Sequence, residues 1–113
     1  GGEAKELSSQ FILSGSRDKT LRIWNVNTGD QVIVLKGHDN WIRDAYWHPN
    51  GLHVVSCSDD KSIRIWDLRT GLQVRMIENA HDHFISKIGI CPTNEGIIAS
   101  GSVDNTVKIW KCS

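Results

Sequence analysis

Apolar and polar residues alternate along short segments of this chain, and turn-forming residues separate the segments. Leu21 to Val26 shows the pattern clearly, and a period of two places successive side chains on opposite faces of a β-strand. Strands of about five or six residues joined by short turns are typical of antiparallel sheets. The pattern predicts strands over residues 11–14, 21–26, 31–35, 41–47, 52–57, 62–68, 72–77, 84–90, 97–101 and 106–110. Residues 1–10, which are polar and begin with two glycines, predict a flexible loop.

One segment occurs three times along the chain. The copies read SGSRDKTLRIWN, SCSDDKSIRIWD and SGSVDNTVKIWK, and their tryptophans, Trp24, Trp66 and Trp110, lie 42 and 44 residues apart. A repeat of about 40–45 residues that ends in Trp-Asp resembles the blade of a WD40 propeller. Such a unit buries its apolar face only against neighbouring blades.

The resemblance predicts an all-β fold, a fragment of a WD40 β-propeller with about three four-stranded antiparallel blades. In WD40 strand order, residues 11–36 form a partial blade with strands b, c and d. Residues 37–79 form a complete blade, and residues 80–113 form a final blade with strands a, b and c. Because propellers close with about four to eight blades, we expect the chain to be the closing end of a longer protein, cut at its N-terminus.

Composition excludes several classes of function. Thirteen basic and thirteen acidic residues among 113 give a formal charge of zero, so no global field favours nucleic acid or an anionic membrane. There is no long apolar run and no signal peptide. Three cysteines, an odd number without a CxxC pair, are typical of a reducing cytosol. We therefore expect a cytoplasmic protein without a nucleic-acid or membrane partner.

Serine, histidine and aspartate recur with each tryptophan, which suggests two different roles. These are the residue types of a hydrolase triad, but an enzyme needs one site and here the set repeats. The resemblance to WD40 domains implies instead a structural hydrogen-bond chain from indole to hydroxyl to imidazole to carboxylate. The two sets are His38, Ser56, Asp60 and Trp66, and His81, Ser100, Asp104 and Trp110. We predict the structural role and no catalytic residues.

The segment His81-Asp82-His83 is the strongest candidate for a metal site. One of its histidines already belongs to the structural chain, and no third ligand has suitable spacing. The glycines do not form a phosphate-binding pattern. The sequence therefore predicts neither a metal nor another cofactor.

Four residues are candidates for partner binding. In a propeller the b–c turns and the loops between strands d and a open on the same face. Arg17 and Lys61 lie in b–c turns of adjacent blades, Trp41 follows the loop GHDN, and Phe84 is its equivalent one blade on. An indole flanked by cations suits a hot spot for an acidic, partly apolar partner. The alternative is that the aromatic residues cap the blade interface and the cations are merely solvated.

Longer motifs resemble one family within the WD40 group. SGSRDKT, KGHDNWIRDAYWHPNG, SCSDDKSIRIWD, NAHDHF and the terminal SGSVDNTVKIWKC together are similar to the last blades of the lissencephaly protein family. The family comprises non-enzymatic regulators of cytoplasmic dynein that are also non-catalytic subunits of a platelet-activating-factor acetylhydrolase, and the resemblance implies the same role for this protein. In this family the face with the b–c turns binds the dynein motor ring through basic residues and a tryptophan. Arg17, Trp41 and Lys61 match those positions.

The resemblance implies a cytoplasmic interaction platform associated with the cytoskeleton and the centrosome. Its expected partners are the dynein heavy chain and the acetylhydrolase catalytic subunits. The N-terminal dimerisation motif of the family does not occur in this sequence. The alternative is a generic WD40 scaffold of another complex, such as a ubiquitin ligase or a signalling assembly.

Overall fold

Three antiparallel sheets make up the protein in a computed structural model. It describes the backbone of residues 4–6 and residues 11–91, 93–94 and 96–111 in full. The strands are β1 Ala4–Glu6, β2 Phe11–Gly15, β3 Thr20–Asn25, β4 Gln31–Lys36, β5 Ile42–Trp47, β6 His53–Ser58, β7 Ile63–Asp67, β8 Leu72–Ile77, β9 Ile85–Ile90, β10 Ile97–Ser102 and β11 Val107–Lys111. Each of the ten strands predicted by alternation is present, with its ends within one residue of the expected positions.

The sheets follow one another along the chain and have the meander order of propeller blades. Their strand orders are β1-β2-β3-β4, β5-β6-β7-β8 and β9-β10-β11, and every neighbouring pair is antiparallel. The all-β class and the propeller-fragment architecture expected from the repeat are thus confirmed. In the WD40 naming, β5 and β9 are strands a, and β8 is a strand d. No helix in the described part of the chain is long and apolar enough to cross a membrane.

The expectation of a loop over residues 1–10 is wrong for Ala4–Glu6. These residues form β1, which pairs with β2 in the register Ala4↔Ser14, Lys5↔Leu13 and Glu6↔Ile12. The other residues of that segment, 1–3 and 7–10, lie outside the described ones. The free edge of β2 carries unpaired backbone groups that favour pairing with any nearby extended segment. That edge, which polarity along the sequence does not reveal, explains the difference.

Each b–c turn is built around one aspartate. Asp18, Asp60 and Asp104 each accept a hydrogen bond from the backbone N–H two residues later, at 2.8–3.0 Å. The residue after each aspartate has a left-handed backbone, for example Lys61 with φ of 70°. Asparagine and aspartate favour such turns because their short side chains bond to nearby backbone groups. The repeated sequence S-x-D-x-[ST] therefore fixes three equivalent turns.

In the first two blades, the residue after the tryptophan of the recurring segment shapes the following turn. In the second blade Asp67 Oδ1 accepts the N–H of Arg69 at 2.8 Å, and in the first blade Asn25 Oδ1 accepts the N–H of Asn27 at 2.9 Å. Asparagine therefore replaces aspartate there without loss of the turn. Gly71 then takes a left-handed backbone, with φ of 72°, that a side chain would strain.

The apolar core lies between blades rather than within one of them. The first cluster of buried residues joins blades one and two, and it comprises Leu13, Leu21, Ile23, Leu35, Ile42, Ala45, Val54 and Trp66. The second joins blades two and three, and it comprises Val55, Cys57, Ile63, Ala80, Ile85, Ile88 and Ile98. Asp44 adds a polar link, since its buried carboxylate accepts the N–H of Ile88 at 3.1 Å. Shared cores of this kind hold neighbouring b–c turns in fixed relative positions.

Candidate interaction surface

A continuous hydrogen-bond chain crosses the second blade. Trp66 Nε1 donates to Ser56 Oγ at 2.9 Å, Ser56 Oγ lies 2.6 Å from His38 Nε2, and His38 Nδ1 lies 2.8 Å from Asp60 Oδ2. An ionised Asp60 accepts from Nδ1–H, so Nε2 is the acceptor for the serine hydroxyl. Each buried polar side chain in this series of hydrogen bonds has a hydrogen-bond partner, as burial in a low-dielectric interior requires.

The third blade repeats the arrangement. Trp110 Nε1 donates to Ser100 Oγ at 2.8 Å, Ser100 Oγ lies 2.7 Å from His81 Nε2, and His81 Nδ1 lies 3.0 Å from Asp104 Oδ2. The first blade has the corresponding bond between Trp24 Nε1 and Ser14 Oγ, at 2.9 Å. All eight residues predicted for the two chains are therefore in hydrogen-bond contact.

Burial separates these chains from a hydrolase triad. Ser56 has no exposed surface, and the side chain of His38 is equally inaccessible. A nucleophile must reach a substrate atom, and this hydroxyl instead accepts a hydrogen bond from Trp66. The arrangement connects the d–a loop, two strands and the b–c turn, which is a structural task.

Sequence analysis missed two further members of the hydrogen-bond chain in blade two. Ser62 Oγ bonds to Asp60 Oδ1 at 2.6 Å, and Arg64 Nε donates to Ser62 Oγ at 3.0 Å while Nη2 reaches Asp60 Oδ2 at 3.3 Å. Arg22 repeats this role in the first blade, with Nη2 at 2.9 Å from Asp18 Oδ2. The signal was present in the sequence: all three copies have serine or threonine two positions after the aspartate and a basic residue four positions after it.

Burial and hydrogen bonding shift the pKa values of the imidazole and the carboxyl group in the hydrogen-bond chain of blade two. Burial lowers the pKa of His38 and outweighs the hydrogen bond to the Asp60 carboxylate, which raises it. Burial would raise the pKa of the Asp60 carboxyl, but hydrogen bonds from His38 and Ser62 outweigh it and hold that pKa well below its usual range. The blade is therefore built for a neutral imidazole that donates to an ionised carboxylate.

This arrangement predicts a loss of stability under mild acid. The unfolded chain takes up a proton at His38 near pH 6.5, while the folded chain resists protonation. The unfolded state then binds more protons, so the contribution of His38 is present above pH 6.5 and falls as the pH drops below it. We expect a decrease of up to about 1.4 kcal/mol at pH 5.5. Urea unfolding at pH 7.5 and 5.5 measures it; an equal decrease in His38→Asn would contradict the assignment to His38.

A cluster of aromatic rings and guanidinium groups lies beside these chains, on the face of the b–c turns. Arg17 Cζ lies 4.4 Å from the centroid of the Trp41 ring, within the range of a cation–π contact. Arg17 comes from the b–c turn of blade one, and Trp41 immediately precedes β5 of blade two. The structure thus brings together these two sequence-predicted residues across a blade interface.

Arg43, which sequence analysis did not single out, belongs to the same cluster. Its Cζ lies 4.6 Å from the centroid of the Trp41 ring and 6.0 Å from that of Phe84. No nearby sequence signal indicated the aromatic contacts of Arg43. The cluster of Arg17, Trp41, Arg43 and Phe84 is called the aromatic–arginine surface below.

The other two predicted partner-binding residues, Lys61 and Phe84, lie on either side of strands β7 and β8 along the chain. Lys61 lies in the b–c turn of blade two, where its carbonyl accepts the N–H of Ala80 at 2.9 Å and its backbone is left-handed. Among the described residues, Arg17 and Arg43 make cation–π contacts with Trp41, and Lys61 does not. Phe84 is 36% exposed and packs edge-on against His83, with ring centroids 4.5 Å apart.

The residues His81, Asp82 and His83 do not come together as a metal site. His81 is buried in the hydrogen-bond chain, whereas His83 Nδ1 accepts the N–H of Phe84 at 2.8 Å. Over the described ranges, no group of three or more candidate ligands is suitably placed for a metal ion. The side chains of this loop serve the blade and the aromatic–arginine surface.

Comparison with known families agrees with this architecture. The sequence model described as "WD domain, G-beta repeat" matches residues 7–25, 29–67 and 72–111. The chain belongs to the WD40 repeat family. Each match ends at or just after one of the three recurring tryptophan segments, and repeat proteins of this kind present binding surfaces rather than reactive groups. These WD40 repeats form a non-catalytic module.

Curated relatives have names from one group of WD40 proteins. The chain is 48% identical over 103 residues to Lissencephaly-1 homolog 1 of Paramecium tetraurelia, covering 91% of this chain and 25% of the relative. It is 54% identical over 101 residues to the Lissencephaly-1 homolog of Heterostelium pallidum, covering 89% and 24%. It is 42% identical over 109 residues to nuclear distribution protein PAC1 of Yarrowia lipolytica, covering 92% and 25%. The chain spans about a quarter of the length of these relatives.

Proposed function

We propose that the protein is an interaction platform that binds the motor ring of cytoplasmic dynein through its b–c turn face. The aromatic–arginine surface carries the proposal, because it combines an accessible indole with a cation that has no acidic partner. Within the described part of the chain, the Arg17 guanidinium makes no ion pair, and its contact is with Trp41. Aromatic and arginine side chains of this kind are enriched among interface hot spots.

The family resemblance supports the choice of partner. Arg17, Trp41 and Lys61 match positions at which the lissencephaly family binds dynein, and relatives named Lissencephaly-1 and nuclear distribution protein align over about nine-tenths of the chain. Lys61, although separate from Trp41, adds a second cation to the same face. Docking there would shift the balance among conformational states of the motor without any chemistry in the propeller. A cytoplasmic, cytoskeleton-associated location, the centrosome and the acetylhydrolase catalytic subunits as further partners belong to the same proposal.

Hydrogen–deuterium exchange tests where the partner binds. The full-length polypeptide containing this sequence is exchanged alone and with the dynein motor domain. We expect slower exchange at the b–c turn face, in residues 16–19, 38–43, 58–61 and 82–84. The turns at the opposite face, residues 25–30, 48–52 and 67–71, serve as the internal control and should not change. Protection of the control turns alone would contradict the proposed face and favour a scaffold that uses another surface.

A further inference from the structure

Arg43 occupies an irregular position in β5. Pairing with β6 passes from Ile42↔Ser58 directly to Asp44↔Cys57, so Arg43 lies at a β-bulge without a partner of its own. A bulge bends the strand locally and redirects a side chain. Here it lets the Arg43 side chain lie beside Trp41, two residues earlier in the chain.

Asp59 holds the Arg43 guanidinium in one orientation. Arg43 Nε donates to Asp59 Oδ1 at 2.6 Å, and Nη2 donates to Oδ2 at 2.7 Å. The side chain of Asp59 is only 5% exposed, whereas that of Arg43 is 38% exposed. A two-point contact of a planar guanidinium with a buried carboxylate fixes the plane as well as the position.

Asp59 also connects to Trp41 through the backbone. Its N–H donates to the Trp41 carbonyl at 2.9 Å. Trp41 is therefore held in two ways by one turn residue: directly at its backbone, and at its ring through Arg43. The indole can still present its remaining surface, because Trp41 is only partly buried.

The third blade shows that the blade itself does not need this side-chain contact. Val103 N–H donates to the Phe84 carbonyl at 3.0 Å, which is the same backbone bond at the equivalent position. Ser86 lies at the equivalent bulge, and its hydroxyl donates to the Gly101 carbonyl at 3.3 Å. The backbone arrangement thus forms without an arginine or an aspartate, and the Arg43–Asp59 pair is particular to blade two.

We infer that Arg43 and Asp59 are positioning residues that hold the Trp41 indole in its partner-binding orientation. This inference rests on the proposed function and assigns different roles to the two arginines beside Trp41. The charge of Arg43 is balanced by Asp59, so Arg43 offers little net attraction to an acidic partner, whereas Arg17 makes no ion pair with any residue whose side chain is described. A ring fixed before binding loses less conformational entropy when the partner arrives.

A double-mutant cycle tests the inference. Arg43→Gln with Asp59→Asn removes the guanidinium but leaves the net charge of the face unchanged and no buried charge unpaired. It is made with Trp41 present and with Trp41→Ala, and Kd for the dynein motor domain is measured with the full-length polypeptide. Arg75→Gln, on the exposed strand β8 of the same blade, is the matched control.

We expect the Arg43–Asp59 replacement to raise Kd about threefold to tenfold when Trp41 is present. In the Trp41→Ala background the same replacement should change Kd by less than about twofold, because residues that act through one group are not additive. Arg75→Gln should leave Kd unchanged. Arg43→Lys keeps the ion pair without the planar contact and is the second variant, used if the first does not fold. We expect it to raise Kd in the same way, only when Trp41 is present.

The possible results distinguish a failure of the positioning role of Arg43 and Asp59 from a failure of the proposed dynein-binding face. An equal rise in Kd in both backgrounds would mean that Arg43 contacts the partner itself. An unchanged Kd in both would mean that the Arg43–Asp59 pair has no role in binding. Either result overturns the inference alone, provided that Trp41→Ala weakens binding. An unchanged Kd for Trp41→Ala by itself would overturn the proposed face and the inference with it.

Discussion

Trp66→Ala is expected to lower the free energy of unfolding by about 3–5 kcal/mol, as for other large buried aromatic residues. Trp66 is 1% exposed and lies in the cluster shared by blades one and two. Its ring also faces Gly37 so closely that a Cβ at that glycine would lie 2.8 Å from the ring edge. Removing the ring therefore opens a cavity at a blade interface and takes away the hydrogen bond to Ser56.

Trp110→Ala is the matched control for this loss. Trp110 makes the same hydrogen bond, to Ser100 at 2.8 Å, but it is only partly buried. Its replacement should cost clearly less, about half as much, because less apolar surface leaves contact. Urea unfolding followed by far-ultraviolet circular dichroism compares the two variants. Equal losses would mean that the shared hydrogen bond, rather than packing between blades, dominates.

The sequence was sufficient for those features that local pattern determines. Alternation predicted the ten strands, and in β3 and β10 buried residues do recur at every second position, for example Leu21 and Ile23. The b–c turns followed from an aspartate that bonds within two residues of itself. The hydrogen-bond chains could be predicted because the WD40 resemblance implies them and because histidine, serine, aspartate and tryptophan recur in the same order in two successive copies.

Other features depend on contacts that no local pattern records. β1 forms because β2 has a free edge, and the polar residues of Ala4–Glu6 give no strand signal of their own. Arg43 was missed because its partner Asp59 lies 16 residues away and because a bulge redirects its side chain. Lys61 was grouped with Trp41 because both belong to one face, but the cations that contact the indole are Arg17 and Arg43.

The triple variant Arg17→Ala, Trp41→Ala, Lys61→Ala is expected to weaken dynein binding by at least about 30-fold, the effect of losing one hot spot of about 2 kcal/mol. Trp41 supplies the accessible apolar ring, and Arg17 supplies a positive charge 4.4 Å from its centroid. Lys61 adds charge from the next b–c turn. Arg17 and Lys61 make no side-chain hydrogen bond to another described residue, so their removal should leave the fold intact.

A matched control uses the outer strand of the same blade. Leu72 and Arg75 on β8 are exposed, and Leu72→Ala with Arg75→Ala removes one apolar side chain and one cation, where the triple variant removes one aromatic ring and two cations. This control keeps the b–c turn face unchanged. It should bind the motor domain as tightly as the unaltered protein.

The Kd of the dynein motor domain for the unaltered full-length polypeptide, the triple variant and the β8 control tests the central claim most directly. Unfolding midpoints of the three proteins are compared in parallel, so that a loss of binding is not confused with a loss of fold. The account predicts a Kd at least about 30-fold higher for the triple variant alone, with similar midpoints. An unchanged Kd for the triple variant, or an equal rise for the β8 control, would contradict it.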